Sequence, residues 1–320
     1  MPSQQTDLSS KAAVALTPRP ATSLRNLRRF LGRGAVQEQM WGLVLVFPYL
    51  IHLVVFTAGP IIAALVLSFT DYDLIRDPKW VGFENYTFAL DDKATLAAFR
   101  NTAVYVALFV PSSLIISLLL AVGLNQRIRG ITFYRTLFFL PVVSSGVATA
   151  LLWLFMFNKR GVLNWLLDLV NLGPIQWLGF EMALNSIIIM SVWQGLGILM
   201  MYWLAGLQGI PQHLYEAAEI DGGGRIAKFR YVTLPLLTPF ILLLSILGII
   251  GSFQVFTASF IITAGGPGFA SLTLALQIYR MAFENFRMGY ATALAYMMFL
   301  AVFVVTMIQW WAQKYWVHYE

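Results

Sequence analysis

Apolar residues along this chain gather into long, nearly unbroken runs at about 41–69, 101–124, 136–157, 182–208, 235–263 and 289–312. A helix that crosses a bilayer needs about 20 mostly apolar residues, because each residue rises about 1.5 Å through a hydrocarbon layer roughly 30 Å thick. All six runs meet that length. From Met182 to Tyr215, and again from Leu236 to Tyr279, there is no Asp, Glu, Lys or Arg. The pattern predicts an all-α membrane protein with six transmembrane helices and a polar loop between spans four and five.

Composition agrees: 59% of residues are hydrophobic and 11% charged, against about 25% charged in soluble domains. The polar segments divide the chain into a basic tail at 1–40, a membrane domain at 41–313 that contains the loop 209–234, and a short C-terminus at 314–320. The tail carries Lys11, Arg19, Arg25, Arg28, Arg29 and Arg33 ahead of the first apolar residue of the run, Trp41. Its apolar run begins too late and lasts too long for a cleaved leader. Residues 1–24 hold too little apolar surface to offset the entropy of ordering, so disorder is expected there. With six spans, the tail, the 125–135 and 209–234 loops and the C-terminus share one side, with 13 Lys/Arg and 6 Asp/Glu, against 8 and 9 on the other. The positive-inside rule puts that side, and both termini, in the cytoplasm. The net charge of +6 is thus a topology signal and calls for no nucleic acid.

The longest outside loop, 70–100, mixes Asp71, Asp73, Asp77, Asp91 and Asp92 with Trp80, Phe83 and Tyr86. A solvated loop would need no aromatic rings, so the blend points to packing on the outer helix ends ahead of contact with a partner. Pro48, Pro60, Pro111, Pro141, Pro235 and Pro239 lie in or beside spans, where each removes a backbone donor. His52, the lone ionisable residue in the spans, reads as a packed neutral histidine.

Chemistry is limited by what is missing. With no cysteine, thiolate metal sites and cysteine nucleophiles are excluded; no metal site is expected, and no convergent His, Asp, Glu or Ser set suggests a catalytic residue. No Gly-x-x-x-x-Gly-Lys-Ser/Thr phosphate loop is present, so ATP binding by this chain is not expected. An ion-coupled carrier, the alternative reading, would normally place working charges inside the membrane. An external motor fits better.

The inner loop contains a helix-favouring stretch, Leu214–Ile220, then Gly222, Gly223 and Gly224, then an amphipathic stretch from Ile226 to Tyr231 before Pro235 opens the next span. Glu216, Glu219 and Asp221 are followed by Arg225, Lys228 and Arg230. Composition alone favours a solvated interfacial loop. For a solute pathway, Trp193, Gln194 and Gly195 on span four, and Gly248, Gly251, Ser252 and Val255 on one face of span five, offer an aromatic, an amide and small groups. Small residues on one face are ordinarily packing surface.

Glu216-Ala217-Ala218, three residues, Gly222, nine residues, Val232, one residue and Leu234-Pro235 resembles the signature loop of permease subunits in bacterial ABC importers, with valine in place of isoleucine. Leu67-Ser68-Phe69-Thr70, Phe83-Glu84-Asn85-Tyr86, Asn101-Thr102, Leu207-Gln208-Gly209-Ile210-Pro211, Thr263-Ala264-Gly265-Gly266-Pro267 and Met288-Gly289-Tyr290-Ala291 resemble the carbohydrate-uptake branch, the maltose and glycerol-phosphate permeases. That resemblance implies a bacterial inner-membrane protein importing a sugar-like solute. It also implies four kinds of partner: a second homologous permease, two ATPase subunits holding ATP and Mg, an extracytoplasmic solute-binding protein, and lipid. Glu216 would contact the ATPase, Ala217 and Ala218 would permit close approach, and Gly222 would make the turn. Asp221, Leu234 and Pro235 belong to the same coupling element. The resemblance also places a cavity on spans four and five, level with the packing reading. Disaccharides, oligosaccharides, polyols and glycerol-phosphate all remain open as cargo.

Overall fold

A computed structural model describes residues 24–126 and 129–318, with side chains from Gln37 onward except Gln39. The disorder expected for residues 1–24 falls outside that set, save for Leu24. The chain forms two compact units, 1–62 and 63–320.

The described residues of the first unit are helical. Helix α1 (Leu24–His52) passes into a π-helical turn, Leu53–Ala58, and then into α2 (Gly59–Leu67). The turn has a local cause in Pro60, whose ring would press on the Phe56 carbonyl in an ordinary α-helix and whose nitrogen has no proton to offer it. The same device recurs at Phe229–Thr233, one turn before Pro235. His52, expected to be packed, is exposed; its ring stacks on Phe56 at 5.6 Å.

The second unit opens with a two-stranded antiparallel pair, β1 (Thr70–Asp71) and β2 (Lys79–Trp80), with Thr70 opposite Trp80. Then come α3 (Glu84–Asp91), α4 (Lys93–Leu124), α5 (Ile131–Val143), α6 (Gly146–Met156), α7 (Val162–Leu169) and α8 (Ala183–Gln208). The inner loop supplies α9 (Gln212–Ile220), α10 (Arg225–Lys228) and α11 (Leu234–Leu236), followed by α12 (Thr238–Phe253), α13 (Leu274–Tyr279) and α14 (Met288–Ala312).

Four helical segments are long and apolar enough to cross a membrane: Met40–Leu67, Lys93–Leu124, Ala183–Gln208 and Met288–Tyr315. The count reaches six when each of two bent pairs is taken as one span: α5 with α6, bent by 100°, and the Arg225–Leu236 segment with α12, bent by 62°. The sequence pattern predicts one span at each of 136–157 and 235–263, with prolines placed to kink them, and both are broken. Pro141 sits in the last turn of α5, and Ser144 and Ser145 are extended before α6 starts. In the other run α12 stops at Phe253, so Val255 lies beyond the helix end and not on its face as expected. Apolar composition records the solvent around a segment, and a buried bend in lipid is as apolar as a helix.

The main seam is α4 against α8. Small side chains on α4, Ser113, Ser117 and Ala121, allow close approach, and buried Trp203 donates its indole N–H to Ser117 Oγ at 2.9 Å. Helix α5 meets α8 at Gly197, where a Cβ would run into the Phe138 carbonyl and lie 2.9 Å from Phe139 Cα and Val142 Cγ2. Backbone cannot yield as a side-chain tip can. Gly197→Leu is therefore expected to cost at least about 1–3 kcal/mol, read as a lower unfolding midpoint in detergent; an unchanged midpoint would remove this contact from the seam.

The loop from 70 to 92 packs. Asn85 donates to the Ser68 and Thr70 carbonyls, both at 2.9 Å, and Phe69 contacts the rings of Trp80, Phe83 and Tyr86. Across the same end, the Gly289 N–H donates to the Tyr72 carbonyl at 3.1 Å, and Tyr290 joins Thr95 and Asp92 through its hydroxyl. Three of the short segments quoted above, 67–70, 83–86 and 288–291, therefore meet at this end.

Candidate functional site

A cavity of about 560 Å³ lies between α4, α8, α12 and the broken segment after Phe253. Its position follows from how the break is held. Where α12 ends, its last carbonyls lose their helical partners and must find others out of water. Thr273 Oγ1 donates to the Val255 carbonyl at 2.9 Å, and Ser259 Oγ to the Ser271 carbonyl at 2.7 Å. The returning segment 264–273 is fastened to α4 in turn. Asn101 Nδ2 donates to the carbonyls of Phe269 and Leu272, at 2.6 and 3.0 Å, and the Leu274 N–H donates to Thr102 Oγ1 at 2.9 Å. Asn101-Thr102 thus clasps the stretch 269–274, whose Ser271 Oγ lies 2.7 Å from both Thr263 Oγ1 and the Gly266 carbonyl. It keeps Gln254, Phe256 and Thr257 on the cavity wall.

No described lining residue is charged. The rings of Tyr105 and Phe109 stack on one another at 5.3 Å, 12° from parallel; Gln194 and Gln254 bring amides; Ser113, Ser191 and Thr257 bring hydroxyls. Aromatic faces beside neutral donors and acceptors suit a solute with apolar ring faces and hydroxyl edges.

Six of the seven pathway residues singled out from the sequence line this cavity: Gln194, Gly195, Gly248, Gly251, Ser252 and Val255. Trp193 does not; it points to α6, its ring edge-on to Trp153 at 5.6 Å. Sequence reasoning missed the α4 wall. A signal was present, since Thr102, Tyr105, Phe109, Ser113 and Ser117 recur every three or four residues and so share one helical face.

The inner loop folds into a helix, a turn and a second short helix. Helix α9 ends in a tight turn in which the N–H groups of Asp221, Gly222 and Gly223 donate to the carbonyls of Ala217, Glu219 and Ala218 at 3.1, 3.0 and 2.7 Å. Gly222 has φ +81°, a conformation glycine adopts without penalty. Lys228 Nζ lies 2.7 Å from Glu219 Oε2, and Tyr215 and Thr233 hydroxyls are 3.0 Å apart, so the two short helices are joined at two points. Glu216, Ala217 and Asp221 remain exposed, Ala218 is half-buried beneath the turn, and Leu234 and Pro235 begin the bend into α12. Beside these, Ile220, Ile226 and Tyr231 are 88%, 83% and 73% exposed. Acidic and large apolar groups share one surface with no described residue of this chain upon it.

The Lys228 ammonium, by hydrogen bond and by charge, lowers the Glu219 carboxyl below its usual value. A carboxyl lowered in the folded state supports the folded loop at neutral pH and loses that support as pH falls through the lowered value. Hydrogen exchange across 221–228, corrected for its intrinsic pH dependence, is expected to quicken under acid, whereas Glu219→Gln should exchange fast throughout. Full exposure keeps the effect small. Equal protection of both proteins at neutral pH would remove the tie.

Relatives of known type share this architecture. Residues 93–315 match the family described as binding-protein-dependent transport system inner membrane component. The chain is 39% identical over 295 residues to the probable ABC transporter permease protein YesP of Bacillus subtilis (strain 168), covering 90% of this chain and 95% of the relative. It is 35% identical over 281 residues to the lactose transport system permease protein LacF of Rhizobium radiobacter, covering 85% and 94%. A crystal structure of a bacterial alginate ABC transporter, in complex with alginate pentasaccharide-bound periplasmic protein, contains a chain that superposes with TM-score 0.74 at 21% identity, over 88% of this chain and 95% of that one. The chain belongs to the family of binding-protein-dependent transport system inner membrane components, the permease subunits of ABC transporters.

Proposed function

We propose that this permease carries a neutral sugar or short oligosaccharide through the cavity between α4, α8 and α12, driven by ATPase subunits docked on α9. The observation that carries the cargo is the lining itself: stacked Tyr105 and Phe109, the amides of Gln194 and Gln254, and no charge. Relatives named for lactose transport support the class. A phosphorylated or acidic solute would meet no cation here, which separates this cavity from the task its alginate-transporting neighbour performs.

The ATPase reading rests on the exposed Glu216, Ala217 and Asp221 beside Ile220, Ile226 and Tyr231, a mixed apolar and acidic surface of the kind protein interfaces bury. ATP and Mg would be held by that partner. A second homologous permease would complete the pathway, and a solute-binding protein would deliver cargo from outside, as the periplasmic protein in the alginate complex supports. Counting both bent pairs gives six spans with both termini in the bacterial cytoplasm, in line with the excess of Lys and Arg on that side.

The test is uptake into proteoliposomes holding the assembled transporter and its binding protein. ATP-dependent, vanadate-sensitive accumulation of neutral di- or trisaccharides, with no uptake of uronate oligosaccharides, is expected. Uptake that follows a proton gradient and ignores ATP would favour an ion-coupled carrier and overturn the proposal.

A further inference from the structure

We propose that α7 and the turn before it form a binding site for phosphatidylethanolamine in the outer leaflet of the membrane. The proposal rests on the six-span topology proposed above, which puts the segment after α6 outside, and is independent of the cargo.

Helix α7 is pinned by its inner face. Asn164, buried, donates to the carbonyls of Lys159 and Ile175, both at 3.0 Å, and accepts from the Ile175 N–H at 3.0 Å and the Trp177 indole N–H at 2.9 Å. With that side fixed, Val162, Trp165, Leu166 and Leu169 are turned away from the protein, 44%, 61%, 47% and 62% exposed. Their spacing of three, one and three makes a single apolar stripe. Helix α6, packed beside α7, continues it with exposed Leu151, Leu152 and Phe155. A short helix with one apolar stripe and a tryptophan is suited to lie in the plane of the interface, its stripe in the acyl region.

Charge sets the headgroup. A pocket of about 250 Å³ opens between Lys159, Arg160, Trp165 and Asp168. No ion pair or side-chain hydrogen bond engages these two cations or this carboxylate among the described residues. Two cations suit a phosphodiester, and the carboxylate suits a primary ammonium carried on the same headgroup. A phosphatidylglycerol offers Asp168 only a neutral hydroxyl in place of an ammonium, and a phosphatidylcholine has no N–H to donate. Cover by a second protein is disfavoured, because it would take three unpaired charges out of water. The lipid leaves them at the wet boundary while its chains cover the stripe.

The assembled transporter, purified in mild detergent and given equimolar phosphatidylethanolamine, phosphatidylglycerol and phosphatidylcholine of matched chains, can be read by native mass spectrometry. Preferential retention of phosphatidylethanolamine is expected. The paired change Lys159→Glu with Arg160→Glu should lower its retention about tenfold, and Asp168→Asn should remove the preference over phosphatidylglycerol while lipid is still held. All three residues are exposed, so the fold does not depend on them. Equal retention of the three lipids, or unaltered retention by the paired variant, would overturn the site. So would efficient cross-linking of Leu169→Cys to a second permease in place of a photoreactive lipid.

Discussion

Gly222→Pro is expected to reduce ATP-driven uptake by well over tenfold while leaving the membrane helices folded. Two independent losses meet at this position. Proline fixes φ near −65°, whereas Gly222 sits at +81°, so the chain leaving α9 must take another direction. Proline also removes the N–H that donates to the Glu219 carbonyl at 3.0 Å. Redirecting the chain there moves Glu219 off Lys228 and carries Ile226 and Tyr231 away from Ile220, dividing the surface proposed to receive the ATPase. Gly222→Val keeps the N–H and isolates the dihedral term, roughly 1–2 kcal/mol for a residue in the left-handed region, and should fall between wild type and proline. Asn, which tolerates that region, should come nearest to wild type. Proteoliposome uptake together with the yield of co-purified ATPase checks the series. Wild-type uptake by the proline variant would show that the turn transmits nothing.

The turn was legible because its residues are few and chemically distinctive: an alanine pair, three glycines and a proline at fixed spacing. The membrane class was equally open to reading, since long uncharged runs have no other solvent. The break after Phe253 was hidden for a physical reason. Between Leu236 and Tyr279 the chain carries no charge whether it is helix, cavity wall or returning loop. The Val255 carbonyl is satisfied by Thr273, and the carbonyls of the returning segment, at Phe269, Ser271 and Leu272, by Ser259 and Asn101, residue types that look unremarkable in a membrane helix. A hydroxyl 18 residues away in sequence is invisible to periodicity. Gly197 illustrates the opposite case: one missing methyl group positions a whole helix, and nothing local distinguishes it from Gly195, which lines the cavity two residues earlier. Trp193 was misplaced for a related reason, because an aromatic residue on the correct helix can still face the wrong neighbour.

The break also gives the most direct way to separate passage of cargo from assembly. A Cβ built on Gly251 meets no atom within 4 Å, and the residue lines the cavity. Gly251→Trp therefore places an indole in open space without pressing on backbone, the opposite of Gly197→Leu, where the added group has nowhere to go. An aromatic ring buries roughly 150–250 Å² and would fill much of the room between the Tyr105–Phe109 stack and Gln194. Uptake is expected to fall by at least about tenfold, equivalent to roughly 1.4 kcal/mol, while the unfolding midpoint and the yield of co-purified ATPase stay near wild type. Gly248 offers the internal control, since its Cβ would stand 3.5 Å from Val110, in ordinary contact; Gly248→Ala should keep most transport. If Gly251→Trp transports as well as wild type, the solute does not pass this wall, and the cavity is a packing void between α4, α8 and α12. If transport and assembly fail together, the position serves the fold. Only the loss of passage with the assembly intact places the route where the uncharged lining points.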